Sequence, residues 1–233
     1  MSRGRGLSGG HATRALAGLA LTRAVRGKAL WIALALVLLP LIVVGVRVGL
    51  GHPADEIWET AFGTTLLVLP VVPSILVSAS LSDELEEKTA AYLWSRALPR
   101  WSIVAGKLVG LAPIAAVIVV LGLTGAWALI GGPSAIPADT FARGVVGMAA
   151  GALAGATIAA MWATIVPRHA VAVSVVWLLF VDLPLGTLPV KVHYLSASFA
   201  ALAIAGFEAT AADGVAAFAL LIVVPTAIAI RRI

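Results

Sequence analysis

Long uncharged runs of apolar residues recur along the 233-residue chain, and they constrain its fold more than any other feature. The shortest run that we place as a span, at 214–230, has 17 residues, which is near the minimum for a helix that crosses a bilayer. Only 12% of the residues are charged, against about 25% in soluble domains. The runs are continuous rather than alternating, which argues against a transmembrane barrel. We predict an all-α integral membrane protein with six transmembrane helices, at about 29–50, 58–81, 102–130, 141–166, 170–190 and 212–231.

The run at 192–207 leaves the number of spans open. As a helix its 16 residues would be only about 24 Å long. A seventh span would place the two termini on opposite sides of the membrane. With six spans, one side holds 13 of the 16 Lys and Arg residues: Arg3, Arg5, Arg14, Arg23, Arg26, Lys28, Lys88, Arg96, Arg100, Lys107, Arg168, Arg231 and Arg232.

That asymmetry favours six spans and makes the basic side cytoplasmic by the positive-inside rule. We expect a multi-pass protein of the plasma membrane, in a bacterium the inner membrane, with both termini in the cytoplasm. The run at 192–207 is then expected to form an outer re-entrant or interfacial segment between spans 5 and 6, covered by protein. The net charge of +5 is accounted for by this asymmetry, and no nucleic-acid partner is expected.

Residues 1–28 precede the first span and are basic. Apolar and basic residues are interspersed over 12–28, a pattern that suits an amphipathic helix on the cytoplasmic membrane surface. The apolar residues are Leu16, Leu19 and Ala20, and the basic ones are Arg14, Arg23, Arg26 and Lys28. The alternative is a disordered basic tail; we expect the helix over 12–28 and disorder over 1–10. Residues 29–233 are then a single six-span domain.

The loop between spans 2 and 3 carries the most informative polar pattern. Asp83 can cap a helix, Glu86 lies three residues later, and Pro99 can end the helix. Glu84 and Lys88 form a pair of opposite charges spaced i,i+4. A charged loop is ordinarily a solvated connector. A short capped helix joined directly to two spans, however, is well suited to receive force from a partner.

The same loop resembles that of the ABC-2-type transporter permeases. The resemblance rests on Glu84-Leu-Glu-Glu-Lys-Thr89, Tyr92-Leu93, Arg96, Pro99-Arg100 and Gly106-Lys107-Leu108, although Ala97 and Leu98 separate the arginine from the proline that usually follows it directly. It covers residues 82–108 in motif and most of the chain in layout. The family implies a permease that dimerises and is driven by cytoplasmic ATPases. By that analogy the segment is a coupling helix that docks on the ATPase through Glu84, Glu87, Lys88, Thr89, Tyr92, Arg96 and Arg100.

The chain contains no G-x-x-x-x-G-K-[ST] motif, so we do not expect it to bind ATP itself. Its four His residues lack metal-ligand spacing, it has no Cys, and no catalytic cluster is evident. We expect no catalytic residue, metal or cofactor in this chain. ATP and Mg would be bound by the partner ATPase, and the remaining partners would be a second permease copy, identical or related, and membrane lipid.

Two features within the spans remain. Gly147, Gly151 and Gly155 form a ridge of small residues on the fourth span, which favours close helix packing within the subunit or across a dimer. Asp182 lies deep in the fifth span, where an acid is costly and is a functional candidate. It also precedes Leu183 and Pro184, so it can cap the helix fragment that follows. Capping is favoured over contact with a substrate or ion.

Taken together, the sequence predicts the permease subunit of an ABC transporter that exports an unidentified substrate. The alternative is a membrane protein that works without an ATPase: a secondary carrier, a membrane anchor or an integral-membrane enzyme. A carrier would usually show two related halves and several charges near the membrane midplane, which this chain lacks.

Overall fold

The computed structural model describes residues 9–86, 101–188, 191–207 and 209–232, and within them it does not describe the side chains of residues 9, 11, 12, 83, 84 and 86. The described chain is helical, and no strand occurs in these ranges. Six helices in these described ranges are long and apolar enough to cross a membrane, which confirms the predicted all-α, six-span fold. We number them spans 1 to 6: Lys28–Gly49, Ala54–Ser82, Trp101–Ile130, Ala138–Ile165, Pro167–Thr187 and Ala211–Arg232.

Several spans are built from shorter helical pieces, and proline explains part of this because it removes a backbone donor. Span 1 is interrupted at Val37, close to Pro40. The pieces of span 1 are Lys28–Leu36 and Leu38–Gly49. Those of span 2 are Ala54–Val68, Val71–Pro73, the π-helical turn Ser74–Ser78 and Ala79–Glu86. Those of span 5 are the 3₁₀ turn Pro167–His169, Ala170–Trp177, the π-helical turn Leu178–Asp182 and Leu183–Thr187. Two further 3₁₀ turns cover Gly132–Ser134 and Lys191–Leu195.

In the part of the chain that the structure describes, two helices lie outside the six spans. The N-terminal helix, Gly9–Arg26, precedes span 1 and is separated from it by Gly27. The insert helix, Ala197–Ala205, lies between spans 5 and 6. It is capped by Ser196, whose hydroxyl accepts from the amide of Phe199, and it ends at Gly206 in the left-handed conformation with φ 85°. Its nine residues would be about 14 Å long, too short for a seventh span.

Span 4 forms the centre of the bundle. It packs against spans 3 and 6 and against the insert helix, and its run of Gly and Ala allows these neighbours to approach closely. In span 4, 72% of the most apolar window is buried, and spans 2 and 3 are similarly covered. In spans 1, 5 and 6 the buried share is only 22 to 28%. The chain therefore has a covered core of three spans and three peripheral spans.

Candidate functional site

The loop predicted to couple to an ATPase lies mostly outside the described residues. Glu87, Lys88, Thr89, Tyr92, Arg96 and Arg100 all belong to that undescribed part. Glu84 lies in the described helix Ala79–Glu86, although its side chain is not described. That helix continues directly from span 2 through Asp83, so Asp83 has an interior position. The expectation that Asp83 caps a new helix is therefore wrong.

Lys107 joins the two spans that flank this loop. Its side chain is 2% exposed in the first turns of span 3, and its ammonium donates to the carbonyl oxygen of Ser80 and, at 3.1 Å, to the hydroxyl of Ser80. Ser80 lies near the end of span 2. A buried ammonium is tolerated only with such partners. The sequence marked Lys107 as part of a Gly-Lys motif, but it did not identify Ser80 as an acceptor.

The N-terminal helix packs against the same part of span 3. A Cβ atom on Gly106 would lie 2.8 Å from Cβ of Leu16, and one on Gly110 would lie 2.8 Å from the carbonyl oxygen of Ala17. Two glycines spaced i,i+4 thus allow one helix to lie directly on the other. This close approach was not predicted, since we assigned the helix only to the membrane surface.

At the far end of span 5, Asp182 is 2% exposed and surrounded by hydrogen-bond donors. Its Oδ1 accepts from the amide of Ala197 at 2.8 Å, and its Oδ2 accepts from the amide of Ser198 at 3.0 Å. The hydroxyls of Ser196 and Ser198 lie 3.3 and 2.8 Å from Oδ2, and 2.9 and 3.0 Å from the Asp182 carbonyl oxygen. The carboxylate therefore satisfies first-turn amides of the insert helix that would otherwise lack an acceptor.

This geometry differs from the expected cap. Asp182 and Leu183 both have right-handed helical backbone, so the helix is not broken before Pro184 and Asp182 does not cap the fragment that follows it. It caps instead a helix 15 residues later in the chain. Gly186 makes this possible, because a Cβ there would lie 2.6 Å from the Ser198 hydroxyl oxygen. The available sequence signal was the Ser-Ala-Ser at 196–198, a favourable start for a helix.

The glycine ridge of span 4 faces elements of the same subunit. A Cβ on Gly147 would lie 2.4 Å from the carbonyl oxygen of Ala201, and one on Gly151 would lie 2.8 Å from Cβ of Ala201. Both glycines therefore hold the insert helix close to span 4. Gly155 is less tightly enclosed, since its nearest neighbour would be Cγ of Pro73 at 3.6 Å.

Hydroxyl groups tie span 4 to the spans around it. The Ser78 hydroxyl donates to the carbonyl oxygen of Ala159 at 2.9 Å, and it also lies 2.9 Å from the hydroxyl of Ser174 in span 5. The Thr157 hydroxyl lies 2.7 Å from the carbonyl oxygen of Leu221 in span 6. Leu221 is four residues before Pro225, so this carbonyl lacks its usual helical donor. The Thr157 hydroxyl can supply one, although the carbonyl oxygen of Ala154 in its own helix lies equally close, at 2.7 Å.

Within the described residues, no group of three or more His, Asp or Glu side chains converges as a metal site would require. The described residues form a helical membrane domain with one buried link at each end.

Comparison with known proteins is consistent with that geometry. The family model described as ABC-2 family transporter protein matches residues 41–204, well over half of the chain. The matched region begins within span 1 and ends within the insert helix, so it contains the loop between spans 2 and 3 and Asp182. No curated protein matches the chain.

Proposed function

Because the chain belongs to the ABC-2 family of transporter proteins, we propose that it is a permease subunit that couples ATP hydrolysis by separate ATPase chains to the export of a substrate. The family match over residues 41–204 is the observation that carries the proposal. A membrane permease of this family works with ABC ATPase subunits, which bind ATP and Mg. This chain contains no P-loop motif and contributes the transmembrane part.

The coupling route runs through the loop between spans 2 and 3. The last helical piece of span 2, Ala79–Glu86, extends past Ser82 to Glu86, and span 3 begins at Trp101. Lys107 ties these two spans together at Ser80, so a displacement of the loop would be passed to both of them. We assign the ATPase contact to the residues predicted from the sequence: Glu84, Glu87, Lys88, Thr89, Tyr92, Arg96 and Arg100.

The peripheral spans are proposed to face lipid and a second permease copy. In spans 1, 5 and 6, only 22 to 28% of the most apolar window is buried within the single chain. Trp31 and Phe180, for example, are 69% and 73% exposed. Such surface in a membrane protein contacts acyl chains or another subunit. The transport pathway would then form where two copies meet, with both termini in the cytoplasm and the protein in the inner membrane of a bacterium.

The insert helix is proposed to be the re-entrant segment that the sequence suggested. It lies beside Gly147 and Gly151, roughly 14 to 20 Å along span 4 from Ala138. Nearly all of its residues are buried against protein, which makes non-spanning backbone tolerable at membrane depth. Asp182 then has a structural role as its cap.

Coupling is tested by purifying the permease with its ATPase and measuring ATP hydrolysis in proteoliposomes. The Glu84→Lys and Arg96→Glu variants should lower the rate several-fold while membrane levels stay normal. Asp55→Lys, an exposed charge reversal at the other end of span 2, is the matched control and should leave the rate unchanged. A double reversal at 84 and 96 with a normal rate would show that the loop is only a connector.

Orientation is tested by cysteine labelling, which is clean in a chain without Cys. A Cys introduced at Ser2 should not react with an impermeant reagent in intact cells. A Cys at the exposed Ser134, in the loop between spans 3 and 4, is the control and should react. The reverse pattern would overturn the proposed orientation.

A further inference from the structure

A cavity of about 270 Å³ lies where the N-terminal helix meets spans 1 and 2. Its apolar wall includes Ala20, Ala24, Ile75 and Leu76, and its polar wall includes Arg23, Lys28 and Ser80. A shallower depression adjoins it and is lined by Thr22, Arg23, Arg26 and Gly27. The combined site thus has three basic side chains on one side and aliphatic carbon on the other.

The level of the cavity along the bundle matches the edge of a membrane. Lys28 is the first residue of span 1, and Ser80 lies two residues before the end of span 2. At this level the hydrocarbon of a bilayer gives way to the phosphate-containing headgroup region. A ligand here would have its polar part beside Arg23 and Lys28 and its apolar part along the wall formed by Ala24, Ile75 and Leu76.

The electrostatics of the site favour an anion. None of the described residues that line the cavity or the adjoining depression is acidic. Arg23 carries five N–H donors in a planar fork, so it can hold a phosphate oxygen while it also contacts a protein group. The first amides of the helix that starts at Lys28 add to the positive potential, since Gly27 provides no side-chain cap.

We propose that this cavity binds an anionic membrane phospholipid. The Arg23 guanidinium and the Lys28 ammonium contact the headgroup phosphate, and an acyl chain lies against Ala20, Ala24, Ile75 and Leu76. A free phosphate would leave the apolar wall in contact with water, whereas a phospholipid covers both walls. The bound lipid would join the N-terminal helix to span 2 directly beside Ser80, the residue that accepts from Lys107.

The test is lipid binding to the delipidated full-length protein, measured by native mass spectrometry in detergent. Phosphatidylglycerol is compared with phosphatidylcholine, whose headgroup contains the same phosphate but has no net charge. Wild-type protein should retain phosphatidylglycerol several-fold more strongly than phosphatidylcholine. Arg23→Gln combined with Lys28→Gln should weaken phosphatidylglycerol binding roughly tenfold or more, because each basic residue near a headgroup contributes appreciably.

The matched control is Arg14→Gln combined with Arg232→Gln. It removes the same charge from exposed positions that do not line the cavity, and it should leave binding close to that of wild type. Ala24→Leu, which fills the cavity without changing charge, should also weaken binding. This second variant keeps the proposal testable if the double glutamine variant folds poorly.

Four results would overturn the proposal. The control and cavity variants could lose binding equally, which would indicate diffuse attraction by surface charge. A second such result is that the control variant and the cavity variants all bind as wild type does. A third is that phosphatidylcholine binds as strongly as phosphatidylglycerol. Finally, millimolar inorganic phosphate could displace the lipid completely, which would indicate a site for free phosphate.

Discussion

The two ends of the bundle each bury one charge, and they hold it in different ways. Among the described residues, Lys107 and Asp182 are the two charged side chains that are buried, and both are 2% exposed. Asp182 accepts from two backbone amides of the insert helix, whose positions are fixed by that helix. Lys107 donates to Ser80 from the end of a flexible four-carbon stem.

This difference indicates different tasks. The cap at Asp182 connects span 5 to a helix that is mostly buried, so its loss leaves two buried amides without an acceptor. The link at Lys107 connects two spans on either side of a loop, and replacing a buried charge by an apolar side chain of similar size is often neutral for stability. We therefore expect the Asp182 end to determine stability and the Lys107 end to determine how the loop moves the spans.

The largest effect on stability is expected for Asp182→Ala. It removes the acceptor of two buried amides, at a cost of about 3 kcal/mol or more. The hydroxyls of Ser196 and Ser198 keep the backbone carbonyl oxygen of residue 182 as an acceptor. Thermal unfolding in detergent should shift down by roughly 10 °C. Asp182→Asn keeps one acceptor oxygen, so its unfolding temperature should fall by only about a third of the shift expected for Asp182→Ala. An Asn variant that is fully stable but does not transport would place Asp182 in the substrate path instead.

A comparison of two glycines tests how tightly the insert helix is held. Gly147→Ala places a Cβ against the carbonyl oxygen of Ala201 and should cost about 2 kcal/mol, because backbone must shift. Gly155→Ala is the matched control in the same helix, with its nearest neighbour at 3.6 Å, and it should leave the unfolding temperature unchanged or slightly raised. Equal losses in both variants would contradict the close packing at Gly147.

Thr157→Val tests the attachment of span 6 and should cost about 1 kcal/mol, since the carbonyl of Leu221 loses its donor. Adding Pro225→Ala should restore much of the loss, because residue 225 then supplies a helical N–H to that carbonyl. Thermal unfolding of the two single variants and the double variant gives the coupling between the sites. Strictly additive losses would show that Thr157 does not compensate for Pro225.

The smallest effect on stability is expected for Lys107→Met. Replacing a buried charge by an apolar side chain of similar length is often neutral, so the unfolding temperature should change by no more than about 3 °C. ATP hydrolysis by the complex with its ATPase should nevertheless fall several-fold. The comparison between the two ends would fail if Lys107→Met destabilised the protein as much as Asp182→Ala does.

The sequence alone predicted the helical class and the number of spans, because a bilayer sets the length and polarity of any segment that crosses it. It also singled out Asp182 and the glycines at 147 and 151, since an acid or a cluster of small residues within a span is unusual. The resemblance of residues 82–108 indicated the ABC-2 family, which the match over residues 41–204 shows. The roles of the loop residues stay predictions.

Only the tertiary structure decided which groups meet. Asp182 caps a helix that begins at Ala197, Lys107 reaches back to Ser80, and Thr157 compensates for Pro225 in another span. The underlying contacts, Asp182–Ala197, Lys107–Ser80 and Thr157–Leu221, join residues that are 15 to 64 positions apart, and no local pattern specifies such pairs. Hydropathy determines that a segment is buried in the membrane, whereas the relative rotation and depth of the packed helices determine which donor faces which acceptor.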